Sequence, residues 1–183
     1  MKIDWSLWEV PKQKYSSANT SINSGRLPRL FTVVKKHLGW TKDTMNFDIG
    51  SGKYLSTIHE FFTKHKILPF FYDPFTLEWA VNTREITSAY GRVDTVTISN
   101  VLNVIAEKKN RIRVLQQAKA IMKSDGTVYI SVYPKEGCGV GEETKPDCWQ
   151  SNKKLSEYEK EVGSVFPFVE IRHGIMIARL TSS

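Results

Sequence analysis

The run Asn46-Phe47-Asp48-Ile49-Gly50-Ser51-Gly52 sets an acid and two glycines at the end of an apolar stretch, and a second acid, Asp73, follows 25 residues later inside Phe71-Tyr72-Asp73-Pro74-Phe75. Glycines allow a sharp turn and a close approach of backbone to ligand, here with the Ser51 hydroxyl between them. An acid before such a turn can accept hydrogen bonds from a ligand's amine or hydroxyls. A second acid at this separation can hold a ribose diol, with Pro74 and Phe75 walling an adenine ring. The turn is not a dinucleotide fingerprint, because Gly50-Ser51-Gly52-Lys53-Tyr54-Leu55 lacks the third glycine. Nor is it a phosphate loop, because no Gly-Lys-Ser/Thr follows at the required distance. The residues suit a nucleotide-like cofactor without a pyrophosphate.

Positioning these groups takes strands that end side by side. Met45 to Ser51 reads as a short strand running into a turn, and Leu55, Ile58 and Phe62 share one face of the helix that follows. Ile67 to Phe75 reads as a second strand ending at Asp73, and Thr76 to Tyr90 as helical in its first half. Asp94 to Ile105 starts as a β-branched strand and passes into a helix near Asn103. Ile112, Leu115, Ala118 and Met122 stripe a helix from about Glu107 to Lys123, closed by Ser124-Asp125-Gly126 before the strand Thr127 to Tyr133. Upstream, Leu27, Phe31, Val34 and Leu38 fall at helical spacing, with Pro28 in the first turn. Pro134 to Asn152 reads as a long polar loop, Leu155, Tyr158 and Val162 as a late helix, and Phe168 to Leu180 as two strands turning at His173-Gly174. This alternation predicts an α/β chain whose doubly wound, mostly parallel sheet is covered on both faces and carries a C-terminal antiparallel hairpin. Ligands of such sheets sit beyond the carboxyl ends of the strands, where the winding reverses.

With 183 residues and 40% hydrophobic content, one domain over 1–183 is expected. No apolar run has transmembrane length, and Asp4, Glu9 and Pro11 interrupt the segment where a secretory signal would need a continuous apolar core. A soluble, cytoplasmic protein is therefore expected. Cys138 and Cys148 have no third or fourth ligand nearby, which predicts reduced, non-catalytic thiols and no metal. The net charge of +7 is compatible with an anionic partner such as nucleic acid, although its location matters more than its total. Residues 1–40 hold seven Lys or Arg against two acids, interleaved with Trp5, Trp8, Tyr15, Ser16 and Ser17. The helix from Glu107 to Lys123 holds six against one and reads as a solvated face.

Phe47 to Gly52 resembles the first motif of Rossmann-like (class I) S-adenosylmethionine (SAM)-dependent methyltransferases. Asp73 resembles their ribose-binding acid, Asp94 to Ile105 their fourth-strand segment, and Ala120 to Tyr133 the stretch before their fifth strand, where a Lys-Pro-Gly-Gly type turn is common and Lys123-Ser124-Asp125-Gly126 stands here. The likeness keeps its order from about Leu27 to Leu180. More narrowly, Asn19 to Asn23, Tyr72 to Phe75, Ser99 to Ile105 and Gly139 to Lys154 are similar to a group of phage and bacterial proteins of methyltransferase type, some linked to DNA modification or defence. The resemblance implies SAM as cofactor. Asp48, Gly50 and Gly52 would surround its amino acid moiety, Asp73 its ribose, and Ser99, Asn100 and Val101 would line it at the fourth strand.

The chain departs from that pattern in ways that bear on the acceptor. Only 20 residues lie between Asp73 and Asp94, so a reduced or missing third strand is expected, and with it loss of the acid that reads the adenine amino group. Asn82, Arg84 or Glu85 could stand in. Ser99-Asn100-Val101-Leu102 replaces the Asn/Asp-Pro-Pro-aromatic motif of enzymes that methylate exocyclic amines in DNA, and no Pro-Cys nucleophile follows, which disfavours direct base methylation. Asn103 stands where many small-molecule methyltransferases carry a histidine; it can position a nucleophile but not take its proton. Displacement at a sulfonium can run on positioning and desolvation.

Asn103 and Tyr15 are thus the catalytic candidates, and Asn19, Ser21, Trp149 and Gln150 the acceptor contacts, with Asn23 in reach of either ligand. Segment 1–26 can fold back across the strand ends; its plainer role is helix entry, with Ser24 as cap. His37, His59 and His65 read as surface or packing residues. The expected function is methyl transfer from SAM to a small molecule or a nucleic-acid or protein group. The competing reading is a non-catalytic methyltransferase-fold module that binds nucleic acid or mediates phage–host interaction, and a third is a hydrolase of SAM.

Overall fold

A computed structural model describes residues 2–19, 26–133 and 139–182. Its main sheet has the order β2 (Leu68–Tyr72), β1 (Met45–Ile49), β3 (Val93–Ser99), β4 (Met122–Ser131), β8 (Ile175–Arg179), β7 (Phe168–Arg172). β1 runs parallel to β2 and β3, and β3 parallel to β4, while β8 is antiparallel to both β4 and β7. The doubly wound, mostly parallel sheet with a C-terminal hairpin is the architecture the alternation predicts. From β1 the chain winds outward to β2 and then returns past β1 to β3, so the reversal lies between β1 and β3.

No strand follows β2 before β3, and α3 (Trp79–Ala89) alone fills that connection. β2 is therefore an edge, and it is blunted. The outward N–H of Phe71 meets Glu85 Oε2 at 3.4 Å, and Pro69, two residues earlier on the same side of the strand, has no N–H to offer. One face of the sheet is covered by α1 (Arg29–His37) and α2 (Leu55–His65), whose Phe31, Val34, Ile58 and Phe62 pack with Trp40, Phe71 and Ile177. The other carries α4 (Lys108–Ile121) and α5 (Glu159–Gly163), whose Leu115, Ile121 and Val162 pack with Phe47, Ile98 and Val128. On that face an N-terminal turn, Trp5–Leu7, wedges in beside α3 and α4: Trp5 meets Trp79 edge-on and Trp8 meets Phe47 and Tyr72. Among the described residues no helix is long and apolar enough to cross a membrane.

Several local expectations change. α1 begins at Arg29, with Pro28 one step earlier in an extended conformation. α3 runs through Ala89 rather than stopping halfway, since Ile86 and Ala89 extend its buried stripe. Near Asn103 there is only a 3-10 turn, Leu102–Val104. Ser124-Asp125-Gly126 does not close α4; it lies inside β4, where Val93 pairs Met122 but Thr95 pairs Thr127, so the intervening residues bulge out. The expected loop contains a hairpin of β5 (Glu142–Lys145) and β6 (Cys148–Gln150). Cys148 is a buried free thiol, and Cys138 lies outside the described residues.

Candidate active site

The ends of β1 and β2, and those of β3 and β4, are tied together by short hydrogen bonds. Gly50, at φ +78°, donates its N–H to the Tyr72 carbonyl at 2.7 Å. A Cβ at this position would sit 2.6 Å from Val101 Cγ2, so glycine is what lets the turn after β1 close onto the turn after β3. Gly52 N–H reaches Asp73 Oδ2 at 2.8 Å, and the N–H groups of Phe75 and Thr76 reach Asp73 Oδ1 at 2.9 and 3.0 Å. Asn82 grips the Asp73 backbone from α3, accepting its N–H at 3.1 Å and donating to its carbonyl at 3.0 Å. After β3, Asn100 takes the left-handed conformation at φ +59°, which asparagine tolerates, and its N–H bonds the Ser131 carbonyl at 2.9 Å.

Beneath the glycine turn runs a buried polar ladder. Trp40 Nε1 donates to Thr95 Oγ1 at 3.0 Å, Thr95 to Asn46 Oδ1 at 2.7 Å, Asn46 Nδ2 to Thr97 Oγ1 at 2.9 Å, and Thr97 to Asp48 Oδ1 at 2.6 Å. Burial pushes the Asp48 carboxyl up to about 7; the Thr97 hydrogen bond opposes this and the neighbouring Asp73 charge adds to it.

Over the strand ends opens a cavity of ≈ 280 Å³. Its floor is Ile49 to Tyr54, and Tyr72 to Thr76 form one side. Ser99, Asn100, Val101 and Asn103 form a second side, Asn110, Arg113, Val114 and Gln117 of α4 a third, and Pro11, Gln13, Ser16, Ser17 and Ala18 a fourth. The N-terminal strap is pinned along α4 by its own carbonyls. Arg113 donates to those of Ser6, Leu7 and Glu9 at 2.5, 3.0 and 2.9 Å, Gln117 to Leu7 at 2.8 Å and Asn110 to Lys12 at 3.1 Å. Glu107 Oε1 accepts the Lys14 N–H at 2.7 Å, and Asp147 accepts both the N–H and the hydroxyl of Ser16.

Of the residues singled out in the sequence, Gly50, Ser51, Gly52, Asp73, Pro74, Phe75, Ser99, Asn100, Val101, Asn103 and Gln150 line this cavity. Asp48, Tyr15, Trp149 and Asn19 do not. Asp48 sits one layer lower on the ladder, and Tyr15 stacks on Trp149 at 5.5 Å. Asn82, Arg84 and Glu85 also stay off the wall, because Asn82 and Glu85 are committed to the backbone of the β2 region and Arg84 pairs with Glu85. Ser21, Asn23 and Ser24 lie outside the described residues. Gln13 on the strap and Asn110, Arg113 and Gln117 on α4 carry no motif; the only signal for the last three was a dense mix of amide and basic groups on that helix. The solvated face expected over Glu107 to Lys123 holds for Lys108, Lys109, Lys119 and Lys123, which are exposed, but not for Arg111, which is buried and bonds Glu161 with two 2.7 Å contacts.

The cavity is lined by several residues with hydrogen-bonding side chains. Three lining residues, Ser51, Asn103 and Gln13, each hold a buried side-chain oxygen that has no partner among the described residues, and the Asp73 carboxylate, with three N–H donors placed, retains acceptor capacity. No protein-family model and no curated protein matches the sequence. Solved structures do. The Burkholderia thailandensis 1,6-didemethyltoxoflavin-N1-methyltransferase, bound to its substrate and S-adenosylhomocysteine, is similar at a TM-score of 0.63 and 15% identity over 90% of this chain and 82% of that one. A Haemonchus contortus phosphoethanolamine N-methyltransferase in complex with SAM gives 0.51 and 16% over 83% and 40%, and a SAM-dependent methyltransferase from Aquifex aeolicus 0.51 and 13% over 83% and 88%. The chain has the Rossmann-like fold of the SAM-dependent methyltransferases.

Proposed function

We propose that the chain binds SAM over the ends of β1, β2 and β3 and methylates a small molecule or a nucleic-acid or protein group. The observation that carries this reading is the junction of Gly50, Gly52 and Asp73, which places a glycine cradle and an acid with spare acceptor capacity on the wall of one cavity. The residues fit the group: Ser51 and the turn would hold the amino acid moiety, Asp73 the ribose, and Pro74, Phe75 and Val101 the apolar surfaces. Bound S-adenosylhomocysteine or SAM in two of the similar structures supports the same assignment. The cofactor supplies an electrophilic methyl group on a sulfonium.

The chain's own contribution is orientation and exclusion of water. Among the described lining residues there is no His or Glu, and the one Asp is engaged by three N–H groups, so acceleration rests on positioning and desolvation. The N-terminal strap forms one wall and closes over the cofactor, with its Pro11-to-Ala18 stretch held by α4 and by Asp147. Calorimetry with SAM and S-adenosylhomocysteine tests the reading. Binding by the intact chain that is lost in Asp73→Ala is expected; no binding, or binding unchanged in that variant, overturns it.

A further inference from the structure

Asn103 sits in the turn after β3, 1% exposed, and its amide is held in one orientation. Nδ2 donates to Gln150 Oε1 at 3.3 Å. Gln150 is itself oriented by donating from Nε2 to the carbonyls of Tyr133 and Ser151 at 3.1 and 2.8 Å. The Asn103 backbone carbonyl accepts the Ser151 N–H at 2.6 Å, and Ser17 donates to the next carbonyl, that of Val104, at 2.8 Å. With Nδ2 bonded to Gln150, the amide atom left without a partner among the described residues is Oδ1, buried on a residue that lines the cavity. A buried carbonyl oxygen without a donor is unfavourable until a ligand brings one.

Two more properties of this wall narrow the ligand. Among the described residues, the charged ones that line the cavity are Lys53 on the glycine turn, Asp73 at the end of β2 and Arg113 on α4; none of these comes from the side formed by Asn103, Val104, Ile105 and Gln150. An ionic acceptor would lose its hydration there without gaining a counter-charge. Among the described lining residues no base stands on that side either. An O–H group would satisfy Oδ1, but its proton would have to leave before the oxygen became a nucleophile. An uncharged aromatic or heterocyclic amine donates one N–H to Oδ1 and keeps its nitrogen lone pair free to form the N–C bond as the methyl's C–S bond breaks; S-adenosylhomocysteine leaves, and the methylated ammonium releases its proton to solvent without a protein base.

Resting on the methyltransferase reading above, we propose that Asn103 Oδ1 recognises an N–H of the acceptor and that the acceptor is an uncharged aromatic or heterocyclic amine. Gln150 is the positioning residue, acting through the Asn103 amide.

Ligand-observed magnetic resonance titrations of the intact chain saturated with S-adenosylhomocysteine, using aniline and its isostere toluene, test the recognition. Aniline is expected to bind about fivefold to tenfold more tightly than toluene, in line with one neutral hydrogen bond. Asn103→Leu should abolish that preference and Gln150→Leu should blunt it. Equal binding of the two probes, or a preference that survives Asn103→Leu, overturns the assignment. Offered aniline and phenol together with methyl-labelled SAM, the chain is expected to label the aniline nitrogen. Label on the phenol oxygen, or on neither while aniline binds, overturns the amine class. An aniline preference without any S-adenosylhomocysteine binding would sustain the role of Asn103 and sink the methyltransferase reading instead.

Discussion

Asp73 Oδ2 accepts the Gly52 N–H at 2.8 Å, which locks the acid at the end of β2 to the glycine turn at the end of β1. Because the other carboxylate oxygen takes the N–H groups of Phe75 and Thr76, one side chain organises two loops. Asp73→Ala leaves three backbone donors without this acceptor and is expected to lower stability by roughly 2–4 kcal/mol, read by thermal or urea unfolding. Asp73→Asn keeps an acceptor oxygen and should fall between that variant and the parent.

Gly50 combines a left-handed backbone with a close approach to Val101. Gly50→Ala should cost about 2–4 kcal/mol, the sum of backbone strain and overpacking. Adding Val101→Ala removes only the steric overlap. A double-mutant cycle is therefore expected to show partial rescue of stability; strict additivity would mean that the Val101 contact contributes nothing.

Asp48 gives the pH dependence a sign. Its carboxyl is raised to about 7 by burial, so between the ordinary aspartate range and pH 7 the folded chain holds a proton that the unfolded chain has released. The stability contributed by this group is present at low pH, falls as pH rises towards 7 and is level above it. Asp48→Asn should flatten that slope. The variant is expected to gain up to about 4 kcal/mol over the parent at pH 8 and to match it near pH 4, measured by urea unfolding across that range.

Arg113 holds the strap through three carbonyls. In Arg113→Met those carbonyls lose their donor, apart from the bond that Gln117 also makes to Leu7. Faster amide exchange over residues 6–14, at least tenfold, is expected with the sheet unaffected, and hydrogen-exchange mass spectrometry reads it directly. Weaker S-adenosylhomocysteine binding should accompany it, since Pro11 and Gln13 line the cavity.

Much of the framework was legible from short-range patterns. The apolar spacing of Ile58 and Phe62 marks a buried helical stripe, and both are buried in α2. The β-branched run ending at Ser99 is β3, and His173-Gly174 turns the final hairpin. The glycine turn, Asp73 with its neighbours, Ser99 to Val101 and Asn103 all reach one cavity, because each sits where a strand ends and parallel strands end together. Asp48 stands one residue before that end, and strand alternation turns its side chain onto the buried ladder instead.

Periodicity and turn chemistry are properties of neighbouring residues, so the order of the main-sheet strands with their helices and the glycine turn after β1 were determined by sequence alone. What lies across from a side chain is not such a property. Arg111 carries the same local pattern as a solvated helix residue, yet Glu161, 50 positions later, arrives to pair with it. The strap from Pro11 to Ala18 has no period to read, and contacts about 90 to 130 residues away in α4 and at Asp147 hold it against the cavity. The amide of Asn103 became informative only once Gln150, from a hairpin hidden in an expected loop, bonded its Nδ2 and left Oδ1 without a partner among the described residues.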